Sequence, residues 1–124
     1  MNRKIVIADD EPNVLVSLEY LMKREGYEVH LASDGDEALA VLRRERPSLV
    51  LLDVMMPKKS GFEVCQALRA DPAIERTRVL MLTARGRDTD VARGFEVGAD
   101  AYLTKPFSTK ELVQKVRELL DSAA

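Results

Sequence analysis

Five polar side chains stand where short apolar runs of the sequence end, and their types suit the binding of a cation and a phosphoryl group. Three are acidic, one carries a hydroxyl and one an ammonium: Asp9, Asp10, Asp53, Thr83 and Lys105. If the apolar runs are parallel strands, these side chains converge at the carboxyl edge of one sheet. Clustered carboxylates repel one another and favour a compensating cation, while a lysine and a threonine hydroxyl suit phosphate oxygens. The sequence therefore predicts a combined cation and phosphoryl site.

The predicted metal ligands are all oxygen atoms, which favours Mg²⁺, with Mn²⁺ as an acceptable substitute. His30 and Cys65 are isolated in the sequence, so no spacing indicates a zinc site. An aspartate nucleophile, a divalent metal, a lysine and a threonine are together the minimal set for forming an aspartyl-phosphate.

Strand-like and helix-like segments alternate five times, which predicts βαβ units and a parallel sheet. The strand-like runs are Ile5–Ala8, Glu28–Ala32, Leu49–Leu52, Val79–Leu82 and Ala101–Thr104. Amphipathic spacing predicts a first helix that has Pro12 near its first turn and Gly26 just past its end. Three further helices are predicted from about Gly35 to Arg44, Phe62 to Ala70 and Asp88 to Val97, and a fifth opens with the capping box Ser108-Thr109-Lys110-Glu111.

The predicted fold class is α/β, a doubly wound five-stranded parallel sheet of order 2-1-3-4-5 with helices on both faces, as in flavodoxin-like folds. This order buries strands 1, 3 and 4, whose apolar runs are continuous rather than alternating. The switch point then lies between strands 1 and 3, which end at Asp9-Asp10 and at Asp53. Ligands bind outside the carboxyl ends of strands at such a point.

Length and charge set further bounds. The 124 residues fit one domain, residues 1–124, with a sufficient core. The net charge of −2 gives no reason to expect binding to nucleic acid or to an anionic membrane. One cysteine excludes an internal disulfide, and no stretch approaches the roughly 20 apolar residues of a membrane span. We therefore expect a cytoplasmic location.

The chain resembles the receiver domains of two-component response regulators, including chemotaxis receivers, and in motif it is closest to receivers of winged-helix transcription regulators. The motifs that carry the resemblance are Asp9-Asp10, Leu52-Asp53-Val54-Met55-Met56-Pro57 with Gly61, Thr83-Ala84, and Lys105-Pro106-Phe107. Each motif alone is a weak signal, but all of them at these intervals make a strong one, and they cover essentially the whole chain.

The resemblance implies a role for each matching residue. Asp53 would be the phosphoacceptor. Asp10, Asp53 and the carbonyl of Met55 would ligate Mg²⁺ directly, and Asp9 would act largely through water. Lys105 would pair with the Asp53 carboxylate and later with the phosphoryl group.

The remaining implied roles concern the phosphoryl oxygens and the switch. Thr83 would turn its hydroxyl onto one oxygen, and the backbone N–H groups of Met55 and Ala84 would donate to others. Tyr102 stands where the family has its aromatic switch residue. The peptide bond between Lys105 and Pro106 would be cis, as in the family.

The implied function is a signalling switch rather than an enzyme. The phosphodonor would be a histidine kinase or phosphotransfer protein, and phosphorylation would reshape the face formed by helix 4, strand 5 and helix 5 for a downstream effector protein or domain. Two alternatives are a metal-dependent phosphatase working through an aspartyl-phosphate and a flavodoxin-like cofactor binder. The first expects a D-x-D arrangement where this chain has Asp9-Asp10-Glu11-Pro12, and the second expects a Ser, Thr or Gly phosphate loop there.

The sequence also bears on the oligomeric state and on whether the receiver belongs to a longer regulator. In the winged-helix branch, active dimers form intersubunit charge pairs, of which Glu96 and Arg117 could still form one. Val91 and Ala101 replace expected charged partners, so we expect a monomer or a weak phosphorylation-dependent dimer. Because the fifth helix ends close to Ala124, we expect a free-standing receiver or one excised from a longer regulator.

Overall fold

The continuous apolar runs form strands, and the amphipathic segments between them form helices. The computed structural model describes residues 3–84 and 88–121, except the side chains of residues 88–91 and 94. In chain order the elements are β1 (Lys4–Ala8), α1 (Pro12–Arg24), β2 (Glu28–Ala32), α2 (Gly35–Glu45), β3 (Leu49–Asp53), α3 (Gly61–Arg69), β4 (Arg78–Ala84), α4 (Asp88–Val97), β5 (Ala101–Lys105) and α5 (Thr109–Asp121).

The five strands form one parallel sheet of order β2-β1-β3-β4-β5, which confirms the predicted topology. The predicted strands are found at their expected places, with ends that differ by up to two residues. The largest difference is at β4, which begins at Arg78 and continues through Ala84, because Thr83 and Ala84 still pair with Thr104 and Lys105 of β5.

The core lies on both faces of the sheet, which is why the central strands read as continuous apolar runs. Residues Leu49–Leu52 of β3 are completely buried. Helices α1 and α5 pack on one face, whereas α2 and α3 cover the other, with the end of α4 beside α3. The edge strand β2 is only partly buried around His30, as its weaker apolar pattern predicted.

Side-chain caps fix where several helices begin. The capping box predicted for α5 is present: the N–H of Glu111 donates to Oγ of Ser108 at 3.0 Å, and the N–H of Ser108 donates to Oε1 of Glu111 at 3.2 Å. Ser60 and Glu63 form a second capping box at α3, which starts this helix at Gly61, one residue earlier than predicted. Each such cap is worth about 1 kcal/mol.

Gly35, the first residue of α2, lies against the segment that joins β3 to α3. Its N–H donates to the carbonyl oxygen of Pro57 at 3.2 Å. A Cβ added to Gly35 would lie 2.3 Å from the carbonyl oxygen of Lys59, so only glycine permits this approach. The contact holds the segment that follows Asp53 against a helix on one face of the sheet.

We predict that Gly35→Ala lowers the free energy of unfolding by about 1–3 kcal/mol, because the added methyl group forces the two backbones apart. The measurement is urea unfolding followed by circular dichroism. Asp36→Ala is the matched control at the next position; it removes an exposed charge near a helix end and its 3.8 Å ion pair with Lys59, and should cost less than about 1 kcal/mol. Equal losses in the two variants would contradict the close-approach argument.

Candidate functional site

Parallel pairing brings the predicted site residues to the carboxyl edge of the sheet. Asp9 directly follows β1, and Asp53 is the last residue of β3. On the other side of β3, Thr83 near the end of β4 pairs with Thr104 of β5, whose next and last residue is Lys105. The site therefore combines four strand ends that are far apart in sequence.

Three carboxylates meet at this edge. Asp9, Asp10 and Asp53 each offer an oxygen atom, and these atoms lie within 4.8 Å of one another. Asp9 is completely buried and Asp53 is 7% exposed, whereas Asp10 is exposed. Such a set of hard oxygen donors, partly buried and open on one side, fits a magnesium ion that keeps some of its water.

The ammonium group of Lys105 brings a positive charge to the site. Its Nζ lies 3.1 Å from Oδ2 of Asp9 and 3.5 Å from Oδ1 of Asp53. Burial alone would lower the pKa of Lys105, but the neighbouring carboxylates of Asp53 and Asp9 outweigh it, and the pKa is raised. The ammonium is thus held charged between two carboxylates, and its shorter contact is to Asp9 rather than to the expected Asp53.

Asp53 is the carboxyl group whose acidity the fold changes most clearly. Desolvation by burial and the charge of Asp9 raise the pKa of Asp53 to about 6, although Lys105 and the N–H of Met55 act in the opposite direction. At neutral pH the group is still largely ionised, yet its charge is poorly compensated in the protein alone. This is the state expected of a carboxylate that a bound cation would stabilise.

The segment after Asp53 is packed closely around that residue. The N–H of Gly61 donates to the carbonyl oxygen of Val54 at 2.9 Å, and a Cβ at Gly61 would lie 2.4 Å from the carbonyl oxygen of Asp53. Met55, in the same segment, projects into solvent and is 58% exposed. The Lys105–Pro106 peptide on the other side of the site is cis, as expected.

Thr83 carries a polar atom without a bonding partner. Its side chain is 2% exposed, and Oγ1 accepts or donates no hydrogen bond within the described part of the chain. A buried hydroxyl left unpaired is costly, so it is available to a ligand oxygen that enters the site. One strand away, the ring of Tyr102 contacts the ring of Phe95 edge to face, with centroids 5.0 Å apart.

Sequence reasoning identified the residues at this edge but not all of their contacts. The Asp9–Lys105 contact joins residues 96 positions apart, and the Phe95–Tyr102 ring contact joins α4 to β5; no local pattern indicated either. The side chain of Val91, on which the weak-dimer expectation partly rested, lies outside the described residues. Arg117, which was expected to form an intersubunit charge pair with Glu96, instead pairs with Glu25 of its own chain at 2.7 Å.

A second group of metal-ligand side chains lies at the edge strand β2. Glu28, His30 and Glu45 bring one ligand atom each within 4.8 Å of the others. The ammonium of Lys4 already lies 3.3 Å from Glu45 and 3.9 Å from Glu28. This group is therefore compensated by the chain itself, unlike the Asp53 site, where a single ammonium of the described residues faces three carboxylates.

The comparisons with known proteins agree with this geometry. Residues 5–117 match the response regulator receiver domain family. The alkaline phosphatase synthesis transcriptional regulatory protein PhoP of Bacillus subtilis (strain 168) is 46% identical over 120 residues, which are 97% of this chain and 49% of that protein. The chain therefore spans about half the length of this curated relative.

Three solved structures are similar over almost their whole length. A putative response regulator from Chloroflexus aurantiacus J-10-fl has a TM-score of 0.93 at 36% identity, covering 98% of this chain and 99% of that one. Chemotaxis protein CheY4 of Vibrio cholerae has a TM-score of 0.90 at 32% identity, and the match covers 96% of this chain and 99% of that one. The third is the receiver domain of sensor histidine kinase PA1611 from Pseudomonas aeruginosa PAO1, which has magnesium in its active-site cleft. Its TM-score is 0.89 at 26% identity, and the match covers 98% of this chain and 99% of that one.

The chain belongs to the response regulator receiver domain family. It is a phosphoacceptor signalling switch of the two-component type, as the sequence predicted. Among the described residues, no helix has the length and apolar character needed to cross a membrane.

We predict that Asp53→Asn stabilises the protein at neutral pH in magnesium-free buffer. The folded-state pKa of Asp53 is about 6 against an ordinary value of 3.8, so its ionisation opposes folding. The penalty is absent below pH about 4, develops as the pH rises to about 6 and is complete above that. Two pKa units correspond to about 3 kcal/mol, and because Asp9 and Lys105 share the effect we expect a gain of about 1–3 kcal/mol.

The measurement is urea unfolding of both proteins between pH 3.5 and 7.5. Glu118→Gln, which removes an exposed carboxylate of α5, should stay within about 0.5 kcal/mol of the unchanged protein throughout. A gain for Asp53→Asn that did not shrink with falling pH would show that ionisation of Asp53 is not its cause.

Proposed function

We propose that Asp53 accepts a phosphoryl group from a phosphohistidine on a histidine kinase or a phosphotransfer protein. The observation that carries this proposal is the location of Asp53: a buried carboxylate with a raised pKa lies 3.5 Å from the ammonium of Lys105. Asp53 pairs with Leu82 of β4, and the next residue of that strand is Thr83, whose hydroxyl has no partner within the described part of the chain. A nucleophile, a cation and an unpaired hydroxyl thus lie at the same edge of the sheet. This is the arrangement needed for transfer to a carboxylate.

In the proposed transfer, an Asp53 carboxylate oxygen attacks phosphorus in line, and the bond from phosphorus to the donor histidine nitrogen breaks. Lys105 is already 3.5 Å from the attacking group and can follow the charge onto the phosphoryl oxygens. The N–H of Met55, which bonds to the Asp53 carboxylate, and the N–H of Ala84 at the end of β4 donate to the same oxygens. In this proposal both N–H groups stabilise the negative charge of the product.

Asp9, Asp10, Asp53 and the carbonyl of Met55 would hold a Mg²⁺ ion. Support comes from the oxygen donor set, from the three carboxylates around one ammonium, and from the magnesium in the cleft of the PA1611 receiver. When bound, the ion neutralises charge between the carboxylates and an incoming phosphate. The use of Mn²⁺ in its place stays a prediction from the donor set.

The proposed switch starts at Thr83. A phosphoryl group on Asp53 offers new acceptor oxygens, and the unpaired hydroxyl of Thr83 gains a partner by turning towards them. The space that Thr83 leaves admits the ring of Tyr102, whose contact with Phe95 links it to α4. The phosphoryl group shifts the population from the inactive to the active conformation. The size of this shift is set by how much more strongly the phosphoryl group stabilises the active conformation.

The partners that we propose follow from this face and from the relatives. Input would come from a histidine kinase or phosphotransfer protein, and output would pass through α4, β5 and α5 to an effector protein or domain. PhoP is a transcriptional regulatory protein about twice as long as this chain, so we assign any DNA contact to an effector. The proposed oligomeric state is a monomer or a weak dimer, and the proposed location is cytoplasmic.

Phosphorylation with acetyl phosphate and Mg²⁺ tests the proposal. We expect one acid-stable, base-labile acyl phosphate per chain, detected by intact mass spectrometry, and none in Asp53→Asn or without a divalent cation. Asp36→Asn, an exposed aspartate on α2, should be phosphorylated like the unchanged protein. Continued release of phosphate over many turnovers would instead support the metal-dependent phosphatase.

We further predict that Met55 slows loss of the phosphoryl group. Its apolar side chain is exposed beside Asp53 and hinders a water molecule approaching phosphorus. Met55→Asn should shorten the lifetime of the acyl phosphate several-fold, measured by its decay after removal of the donor. Met55→Leu, of similar volume, should decay like the unchanged protein, and equal rates for all three would rule out the shielding role.

A further inference from the structure

Arg69, in the last turn of α3, makes a set of contacts that the phosphoryl site does not explain. Its Nε donates to the carbonyl oxygen of Gly98 at 3.0 Å, and one terminal nitrogen donates to the carbonyls of Glu75 at 2.7 Å and Thr77 at 2.6 Å. The other terminal nitrogen donates to Oδ2 of Asp100 at 2.8 Å. One partly buried guanidinium thus ties three separate segments together.

Asp100, which follows α4, is held from a second side. Its Oδ2 also accepts from the N–H of Val79 at 2.8 Å, and its own N–H donates to the carbonyl of Val79 at 2.9 Å. Val79 lies near the beginning of β4, at the end of the sheet opposite Asp53. The residues just after α4 are therefore bonded to a central strand as well as to α3.

The end of α4 itself fits closely against the Arg69 side chain. Gly98 has a φ of +106°, and a Cβ there would lie 2.9 Å from Cγ of Arg69. Cys65 on α3 donates its thiol to the carbonyl of Val97 at 3.5 Å. Cationic and donor groups at the last carbonyls stabilise the end of a helix, so this end of α4 is fixed by directional bonds.

The described contacts further along α4 are of a different kind. The guanidinium of Arg93 lies 4.7 Å from the ring centre of Phe62, and Phe95 contacts Tyr102 through ring edges. Each such ring contact is typically weaker than a hydrogen bond to a charged group. In the chain, Asp88 at the amino end of α4 is five residues after Thr83, so this is the end of α4 nearer to Thr83 along the chain.

We propose that Arg69 is a positioning residue of the switch: it anchors the carboxyl end of α4, so that phosphorylation moves α4 by pivoting about Gly98. The inference rests on the proposed function, because Asp53 must be phosphorylated for α4 to respond. Without the anchor, the displacement that begins at Thr83 is spread along the whole of α4 and into Gly98–Asp100. The position of α4 in the output face is then no longer determined by the phosphorylation state of Asp53 alone.

Residue-resolved amide hydrogen exchange of the full chain tests this proposal, with and without acetyl phosphate and Mg²⁺. In the unchanged protein, phosphorylation should alter exchange in the amino half of α4 and leave Gly98, Ala99 and Asp100 unchanged within about twofold. A change at Gly98–Asp100 as large as that in the amino half would overturn the pivot.

Three variants test the role of the side chain. Arg69→Gln should raise exchange at Gly98–Asp100 by on the order of tenfold before phosphorylation and should let the phosphorylation-dependent change extend to these residues. Arg69→Lys keeps one donor for Asp100 and should give a smaller effect in the same place. Arg43→Gln is the matched control, because it removes another arginine–aspartate pair, the 3.1 Å pair between Arg43 in α2 and Asp71 after α3; it should leave α4 exchange unchanged.

The outcomes separate a positioning role from a purely structural one and from the proposed function. Faster exchange in the core strands as well as at Gly98, with the phosphorylation response still confined to the amino half of α4, would mean that Arg69 only stabilises the fold. If Arg69→Gln does not fold, Arg69→Lys decides by the same criterion. A chain that gains no phosphoryl group by mass would contradict the proposed function, whereas unaltered exchange at Gly98–Asp100 in unphosphorylated Arg69→Gln would overturn the anchor alone.

Discussion

The structure depends on one electrostatic constraint: three carboxylates are gathered at the end of a sheet, and within the described part of the chain a single ammonium lies among them. Lys105 contacts both buried members, Asp9 and Asp53, but one positive charge cannot compensate three negative ones. Burial and, after it, the remaining charge imbalance raise the pKa of Asp53. A site that is short of positive charge and holds one unpaired hydroxyl, at Thr83, is poised for a cation and a phosphoryl group.

The strand β4 links this site to the surface that would carry the signal. At its carboxyl end Thr83 is buried without a partner, and near its amino end Val79 is bonded to Asp100 in a network completed by Arg69. One end therefore has a polar group free to move, whereas the other is fixed by directional bonds. Because α4 lies between Thr83 and Asp100 in the chain, the asymmetric response proposed for that helix has a basis in ordinary hydrogen bonding.

Much of the fold was predictable because local and global signals agree. The continuous run at Leu49–Leu52 predicted a strand covered on both faces, and those residues are fully buried. The capping box at Ser108 predicted the start of α5. Strand ends were less exact: β4 continues through Ala84 because it pairs with β5, and pairing with a distant strand leaves no mark in the local sequence.

The sequence by itself determined the order of elements, the burial of the central strands and the identity of the residues at the carboxyl edge, because hydrophobic periodicity and strand-end polarity are local properties. Only the tertiary structure decided that Lys105 lies closer to Asp9 than to Asp53, that the Thr83 hydroxyl has no partner in the described chain, and that Arg69 joins α3 to the end of α4. These are contacts between side chains brought together by packing, and their distances depend on how helices lie on the sheet rather than on spacing along the chain.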